Sequence, residues 1–167
     1  MTIITTPRLQ IRQTNYSDAL KVIELLNSEG WLKYIGERNV KNEDDAKIYI
    51  DKILKSYEDN GHGMYTILNN EDDSFIGLCG LLKRDYLDHP DIGFAFLPEY
   101  HGKGYAIEAA KATIDIAKSL DIKKLYAYNL SNNDRSNNLL SKLGFTFVKT
   151  IFIPGGEEEL DLYEVEL

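Results

Sequence analysis

The stretch from Asp91 to Ala106 constrains what this chain can fold into more than any other part of the sequence. Its apolar residues from Ile92 to Leu97 predict a β-strand that ends before Pro98. A loop with two glycines, Gly102 and Gly104, then leads directly into the most regular helix of the sequence, whose apolar residues form one wide face. A helix with such a face has to pack on another layer, and the adjoining strand predicts that this layer is a β-sheet.

Similar patterns continue on both sides of this stretch. Alternating apolar residues around Leu9 predict a first strand, and Asn15 and Asn42 are the expected N-caps of two helices. Three strands precede the glycine loop, while a strand, a helix and two closing strands follow the regular helix. The predicted order is β-α-α-β-β-β-α-β-α-β-β, which corresponds to an α/β fold with a mixed sheet in one domain over residues 1–167.

The composition excludes several classes of protein. Of the 167 residues, 43% are hydrophobic and 28% are charged, which is typical of a folded globular chain and not of a disordered one. The longest nearly unbroken apolar stretch, Phe75 to Leu82, is far shorter than the ~20 residues of a membrane-spanning helix. The net charge of −8 argues against a general nucleic-acid binder, because such proteins use Lys and Arg to neutralise phosphates.

Cysteine use and the first residues bear on location and metal binding. The single cysteine, Cys79, cannot form a disulfide within the chain, and Met1 to Arg8 do not have the pattern of a secretion signal. We therefore expect a cytoplasmic protein. Cys79 lies in an apolar run, so we expect it in the core and not as a nucleophile. No Cys/His cluster has metal-ligand spacing, and we expect no metal site.

The charges are unevenly distributed along the chain. Residues 101–149 hold 8 basic and 4 acidic side chains, whereas residues 1–100 hold 11 and 17, and residues 150–167 hold 0 and 6. One interpretation is a site for an anion that faces a site for a cation; the other is chance scatter of surface charge. Within the basic segment, the glycines let backbone N–H groups turn toward a ligand, and Lys103 adds a charge beside the positive end of the helix. The loop thus predicts an anion site, unless its glycines serve only to turn the chain.

The loop does not stand alone. Together with the segment from Asn133 to Phe145, Asn-Asp-Arg-Ser-Asn-Asn-Leu-Leu-Ser-Lys-Leu-Gly-Phe, it resembles the GNAT acetyltransferase superfamily, most closely its RimJ/RimL-like branch. The resemblance also includes Thr6-Pro-Arg-Leu-Gln-Ile-Arg12 and Phe75-Ile-Gly77, and it extends over nearly the whole chain. It implies the GNAT-like acyl-CoA N-acyltransferase fold and the direct transfer of an acetyl group from acetyl-CoA to a primary amine.

The resemblance also implies which residues hold acetyl-CoA. The free backbone groups of Phe96 and Leu97 are expected to bind the pantetheine arm, since this strand splays from the next parallel strand in the family. The pyrophosphate is expected on the loop and helix start, formed by His101, Gly102, Lys103, Gly104, Tyr105 and Ala106. His101 stands where the family has Gln or Arg. Because the family's contacts are mainly made by the backbone, we expect cofactor binding to be kept.

The catalytic acid is expected at Ser136. Many members place a tyrosine seven residues after the asparagine that matches Asn133, but this chain has Leu140 there. The RimJ/RimL-like branch has Asn-x-x-Ser instead, so Ser136 is the candidate that hydrogen-bonds the departing sulfur, and Asn133 holds the cofactor and the helix. The alternative is that Asn133 is simply an N-cap and Ser136 an ordinary first-turn residue.

The candidate base is Asp91, which opens the strand where several members of the superfamily keep a catalytic Glu. Other carboxylates compete for the role: Glu37, Asp85, Asp88 and Glu99. A base matters because the amine must lose a proton before it attacks, whereas a coenzyme A thiol, with a pKa near ~8.5 by analogy with cysteine, leaves readily.

The acceptor is expected to be a protein N-terminal α-amine or a small cationic amine, because the segments that line the family's acceptor cleft are acidic here. These segments include Trp31, Tyr34, Tyr86 and the stretch from Gly155 to Glu159. We expect a monomer or a homodimer. The alternative function is a non-catalytic module that senses acyl-CoA, for which the missing tyrosine and the several candidate bases are the motive.

Overall fold

A computed structural model describes residues 2–167 of the chain. Its strands are β1 (Thr2–Thr5), β2 (Leu9–Gln13), β3 (Met64–Asn69), β4 (Phe75–Leu82), β5 (Asp91–Phe96), β6 (Lys124–Asn129), β7 (Thr146–Ile151) and β8 (Leu160–Glu166). Its α-helices are α1 (Ala19–Leu26), α2 (Glu29–Tyr34), α3 (Glu43–Asn60), α4 (Tyr105–Ser119) and α5 (Asp134–Lys142). Asn15 and Asn42 cap their helices as expected, and Gly61, with φ of 75°, ends α3.

The eight strands form one sheet in the order β1-β2-β3-β4-β5-β6-β8-β7. All neighbours are antiparallel except β5 and β6, which are parallel, so the predicted mixed sheet is confirmed. Helices α1, α2 and α3 cover one face through a core that includes Leu25, Ile50 and Leu78. Helices α4 and α5 cover the other face through a second core. Among residues 2–167, no helix is both long enough and apolar enough to cross a membrane.

Two short elements differ from the predicted order. Strand β1, which pairs with β2, has four residues, and α2, which contains Gly30, has six; the predicted order includes neither element. Neither is long enough to show a repeating pattern. Helix α2 is held by tertiary contacts instead, because Trp31 is 6% exposed in the core and its Nε1 donates to the carbonyl oxygen of Gly36 at 3.0 Å.

Cys79 lies in the core as expected. It is fully buried in β4, and this burial raises the pKa of its thiol to about 12. The hydroxyl of Thr113 in α4 lies 3.3 Å from the sulfur. A thiol with such a high pKa holds its proton at neutral pH, so it is unsuited to act as a nucleophile.

Gly77 allows β4 and β5 to approach each other closely beside the site described below. It pairs with Phe96 at the end of β5. A Cβ at this position would lie 2.2 Å from the carbonyl oxygen of Ala95 and 2.8 Å from Cα of Phe96. Both are backbone atoms, which cannot rotate away, so a side chain here would displace the end of β5.

We expect Gly77→Ala to lower the free energy of unfolding by about 1–3 kcal/mol, the usual cost of overpacking. Urea denaturation measures the change. Gly30→Ala is the matched control, since no atom apart from its chain neighbours and the backbone of its own helix lies within 4 Å of a Cβ there, and alanine is favoured over glycine in a helix. If Gly77→Ala unfolds at the wild-type urea concentration, the close approach of the two strands does not require a glycine.

Candidate active site

A gap in the sheet lies between β5 and β6. Within residues 2–167 their ladder contains one pair, Asp91 with Tyr126, and the amide of Tyr126 donates to the carbonyl oxygen of Pro90 at 2.9 Å. Beyond this pair the two parallel strands separate. The splay that the family resemblance implied is therefore present.

The register of the sheet determines which backbone groups face this gap. The amide of Leu97 donates to Ile76 on β4 at 2.9 Å, so by alternation the backbone groups of Ala95 also face β4. Those of Phe94 and Phe96 then face the gap. The carbonyl oxygen of Leu97 accepts from Tyr100 at 3.0 Å, so both backbone groups of Leu97 are already paired. The structure thus places Phe96 at the gap as expected, turns Leu97 away from it, and adds Phe94.

Phe94 is a functional candidate that sequence reasoning missed. No role for Phe94 followed from the sequence, and its ring packs against the core beneath α4. Along a strand, the backbone groups of successive residues face opposite neighbours. This rule would have placed the backbone groups of Phe94 at the gap, but only once the hydrogen bond from Leu97 to Ile76 was known.

The glycine loop forms the end of the gap and leads into α4. Gly102 and Gly104 have φ of 72° and 80°, the left-handed region that glycine favours. Within residues 2–167 the N–H groups of Gly102, Lys103 and Gly104 have no hydrogen-bond partner. The first N–H groups of a helix, here those of Tyr105 and Ala106, also lack intrahelical acceptors. Together with the positive end of the helix dipole, this arrangement can bind an anion.

Arg8 fixes the shape of this loop from the N-terminal side of the chain. Its Nη1 donates to the carbonyl oxygen of Lys103 at 2.8 Å, its Nε pairs with Glu108 at 2.7 Å, and its guanidinium lies 4.5 Å from the centre of the Tyr105 ring. Burial opposes ionisation of Glu108, but hydrogen bonds from Thr6 and Arg8 outweigh it and hold the pKa of Glu108 below its usual value. The sequence singled out Arg8 only as part of a motif, without a role.

His101 links the loop to α5 across the mouth of the gap. Its Nε2 lies 2.8 Å from the carbonyl oxygen of Phe96, and its Nδ1 contacts Nη1 of Arg135. A carbonyl oxygen only accepts, so Nε2 carries the proton and Nδ1 accepts from the guanidinium. His101 therefore occupies the one gap-facing acceptor of Phe96, and Arg135 adds a positive charge beside the loop.

The start of α5 forms the other side of the gap. Asn133 caps this helix, and its Oδ1 accepts from the amide of Ser136 at 3.3 Å, so the N-cap prediction is confirmed. Ser136 is 8% exposed, and its Oγ accepts from Nδ2 of Asn129 at 2.7 Å. Asn129, at the end of β6, is a second residue that sequence reasoning did not single out.

Asp91 lies on the opposite face of the sheet from Ser136. By alternation along β5, its side chain is on the side of α1–α3, and it is 3% exposed. Its Oδ1 accepts from Nε of Arg84 at 3.0 Å, and Arg84 in turn lies 5.6 Å from the centre of the Tyr128 ring. Burial raises the pKa of the Asp91 carboxyl, and the ion pair with Arg84 offsets this only in part.

A shallow groove lies on this face, and its lining includes Tyr126, the strand partner of Asp91. Aromatic and apolar side chains line most of it, including Tyr86, Leu87, Tyr126, Phe152, Pro154 and Leu162. Of the expected acceptor-cleft residues, Tyr86 is in this groove, whereas Trp31 belongs to the core. The stretch 155–159 is an exposed turn that follows Pro154.

The gap fits a linear molecule with a phosphate-bearing end. Unpaired N–H groups of the loop are available to phosphates, and gap-facing backbone groups of β5 and β6 can pair with amides of an extended arm. The side-chain oxygen of Asn129 is a further buried acceptor without a partner among residues 2–167. These features suit the pyrophosphate and pantetheine parts of acetyl-CoA. The same residues contain no group of three or more His, Cys, Asp or Glu arranged to hold a metal ion.

Comparisons with known proteins agree with this geometry. A family profile described as an acetyltransferase (GNAT) domain matches residues 8–146. The chain is 34% identical over 164 residues to the uncharacterized N-acetyltransferase YnaD of Bacillus subtilis, covering 96% of this chain and 93% of that one. A solved GNAT-family acetyltransferase from Bacillus anthracis is 25% identical with a TM-score of 0.81, covering 99% of this chain and 98% of that one.

The same fold occurs in a more distant structure that contains coenzyme A. This is RimL, a ribosomal L7/L12 α-N-protein acetyltransferase, which is 15% identical with a TM-score of 0.85 and covers 100% of this chain and 98% of that one. With the family profile, the B. subtilis relative and the splayed strands in agreement, this chain belongs to the GNAT acetyltransferase family.

Proposed function

We propose that this protein transfers an acetyl group from acetyl-CoA directly to a primary amine. The observation that carries the proposal is the gap between β5 and β6, which ends at a loop with unpaired N–H groups. Acetyl-CoA, when bound, supplies the acetyl group as a reactive thioester. The carbon–sulfur bond breaks as the amine nitrogen bonds to the acetyl carbon, so the chain has to take a proton from the amine and stabilise the departing sulfur.

The loop would hold the pyrophosphate through the backbone amides of Gly102, Lys103, Gly104 and the start of α4. Arg135 and Lys103 add positive charge near these amides, while the side chain of His101 acts on Phe96 and not on a phosphate. The backbone groups of Phe94 and the amide of Phe96 would pair with the pantetheine arm or face the thioester oxygen, since His101 already occupies the carbonyl oxygen of Phe96. These are roles of the backbone, which explains why His101 can replace the family's Gln or Arg.

Ser136 is suited to act on the leaving sulfur, and Asp91 is suited to act on the attacking amine. Ser136 lies at the start of α5 on the face covered by α4 and α5, where it would donate a hydrogen bond to the sulfur. Asp91 lies on the other face, where its strand partner Tyr126 lines the groove, and its raised pKa would make its carboxylate a better proton acceptor than an ordinary aspartate. Acceptor and cofactor would thus enter from different faces of the sheet.

The acceptor proposed is a protein N-terminal α-amine or a small cationic amine. Asn133 and Ser136 match the RimJ/RimL-like pattern, and the structural neighbours include the RimL protein acetyltransferase, which favours an α-amine. The groove also favours the α-amine of a peptide over a small cationic amine. Its aromatic and apolar lining suits the first side chain of a peptide better than it suits a polyamine or amino sugar. We further propose that the chain forms one domain, functions in the cytoplasm and is a monomer or homodimer.

Two measurements test this function, of which the first concerns binding. Acetyl-CoA should raise the melting temperature, since a ligand at 100 times its Kd adds about 2.7 kcal/mol to stability, and ATP at equal concentration should raise it less. Gly104→Ala should abolish the shift, because alanine is strained at a φ of 80°. Gly155→Ala is the matched control: its φ of 78° imposes the same strain, but it lies far along the chain from the loop.

The second measurement is thiol release from acetyl-CoA in the presence of peptides with free N-termini, polyamines and amino sugars. The proposal expects release with peptides, at a rate that increases with pH as the free amine becomes more abundant. A melting shift without thiol release for any amine would favour the acyl-CoA sensor. Equal shifts from ATP and acetyl-CoA would contradict the assignment of the gap to acetyl-CoA.

Ser136→Ala should lower kcat about 10- to 100-fold, because a hydrogen bond to a charged group contributes about 1.5–3 kcal/mol. The Kd of acetyl-CoA should change little, since the bond strengthens only as charge develops on the sulfur. Steady-state kinetics and calorimetric binding measure the two quantities. The exposed Ser141 on the same helix provides the control variant Ser141→Ala. A kcat within twofold of wild type would show that the sulfur leaves without Ser136.

Asp91→Asn should lower kcat/KM about 10²-fold, at the low end of the effect of a general base. The carboxylate is the active form, so the wild-type kcat/KM should increase with pH as Asp91 ionises, at a pH above that of an ordinary aspartate because its pKa is raised. In the variant, the increase of kcat/KM that is due to Asp91 should disappear, and only the increase that is due to deprotonation of the amine should remain. Asp85→Asn, which changes an exposed carboxyl in the turn before β5, should keep the wild-type profile. An unchanged profile for Asp91→Asn would exclude it as the base.

A further inference from the structure

Asn129 is the last residue of β6, and its side chain is buried beneath the first turn of α5. Leu125, Ala127 and Asn129 alternate with tyrosines along the strand, so their side chains lie on the face that α4 and α5 cover. The first two belong to the apolar core, but a buried amide needs polar partners. Its Nδ2 lies 2.7 Å from Oγ of Ser136 and 3.0 Å from Oδ1 of Asn137.

The neighbouring groups determine which end of Asn129 faces Ser136. The carbonyl oxygen of Ser131 can only accept, so the amide of Asn137 turns its Nδ2 toward that oxygen, at 2.9 Å. Oδ1 of Asn137 is then directed toward Asn129, and it also accepts from the hydroxyl of Tyr163 at 3.3 Å. Because an amide oxygen cannot donate, Asn129 has to present its Nδ2, and Ser136 has to accept.

This arrangement leaves two buried polar groups open. Among residues 2–167, Oδ1 of Asn129 has no hydrogen-bond partner, and the hydroxyl proton of Ser136 has no acceptor, although Ser136 is only 8% exposed. Buried polar groups in proteins are nearly always paired, so an open donor and an open acceptor side by side require an explanation. A serine that accepts through one lone pair and donates to nothing in the protein holds its proton available for a ligand.

We propose that Asn129 is a positioning residue that fixes the hydroxyl of Ser136 so that its O–H points to the sulfur of the thioester. The inference rests on the proposed function, in which Ser136 hydrogen-bonds the departing sulfur. Asn129 does not touch the reacting atoms itself. By occupying a lone pair of Oγ it restricts the rotation of the hydroxyl, so the donor is already oriented when charge develops on the sulfur.

Two replacements of Asn129 disturb this orientation in different ways. Asn129→Asp keeps the size but places an acceptor against Oγ, so the Ser136 hydroxyl should turn toward it and away from the gap. Asn129→Leu adds no charge and removes the hydrogen bond to Oγ of Ser136, so the hydroxyl is free to rotate. This variant also tests the inference if Asn129→Asp does not fold. Asn138→Asp makes the same charge change at an exposed position of α5 and is the matched control.

We expect Asn129→Asp to lower kcat about tenfold while the Kd of acetyl-CoA stays within about twofold, the pattern of a group that acts on the transition state. Asn138→Asp should keep the wild-type kcat. In the Ser136→Ala background, Asn129→Asp should cause no further loss, because a residue that acts only through Ser136 has nothing left to act on.

Binding of coenzyme A alone provides a readout that does not depend on turnover. A hydroxyl that points at the sulfur stabilises the thiolate, so the pKa of the bound thiol, followed by the ultraviolet absorbance of the thiolate, should lie below that of free coenzyme A. Asn129→Leu should return this pKa toward the free value without adding a charge.

The outcomes separate this inference from the function on which it rests. If Ser136→Ala lowers kcat and Asn129→Asp does not, the positioning role is wrong and the proposed function stands. A loss that adds to that of Ser136→Ala, or a thiol pKa unchanged in Asn129→Leu, would likewise overturn the positioning role. If Ser136→Ala keeps the wild-type kcat, the assignment of Ser136 fails first, and the role of Asn129 fails with it.

Discussion

The rest of the structure depends on the separation of two parallel strands after a single pair of residues. Once β5 and β6 part beyond Asp91 and Tyr126, each leaves a row of backbone groups without a partner inside the sheet. Unpaired peptide groups at the centre of a domain are costly, so a sheet with such a gap is stable only if something else supports its edges. Here β4 pairs fully with β5 on one side, and β8 pairs fully with β6 on the other. The antiparallel neighbours thus hold the two strands apart, and Gly77 lets β4 follow β5 to its end.

In the proposed reaction, the gap also separates the chemistry of the cofactor from that of the acceptor, one on each face of the sheet. Helices α4 and α5 bring two positive helix ends, the glycine loop and Ser136 to one face, where the proposed cofactor and the departing thiolate would need stabilisation. The opposite face holds Asp91 and the aromatic groove. The uneven distribution of charge along the sequence corresponds to this division in part, because the basic segment 101–149 contains the loop and both of these helices. The acidic turn at 157–159 lies on the exposed rim beyond Pro154.

Sequence reasoning predicted those features that depend on neighbours along the chain. The long helices and their caps at Asn42 and Asn133 follow from local patterns, and they are confirmed. The glycines of the loop were expected to let the chain turn, and the structure shows that they do so with left-handed φ angles. The family resemblance predicted that β5 and β6 separate. Features that depend on register or on distant partners were not predicted: Phe94 faces the gap and Leu97 does not because of one hydrogen bond to Ile76. Likewise nothing local indicates that Asn129 lies against Ser136, since that contact requires a strand end and a helix start to meet.

The clamp formed by Arg8 has a consequence for how the protein is made. Its contacts with Lys103 and Glu108 join residues 95 and 100 positions apart, so the glycine loop takes its shape from the two ends of a long chain segment. During synthesis on the ribosome, the β1–β2 hairpin emerges before α4, so the contacts of Arg8 can form only after α4 has been made. The glycine loop thus reaches its final shape only after most of the sheet has been synthesised, and a nascent chain shorter than this segment has strands but no finished loop.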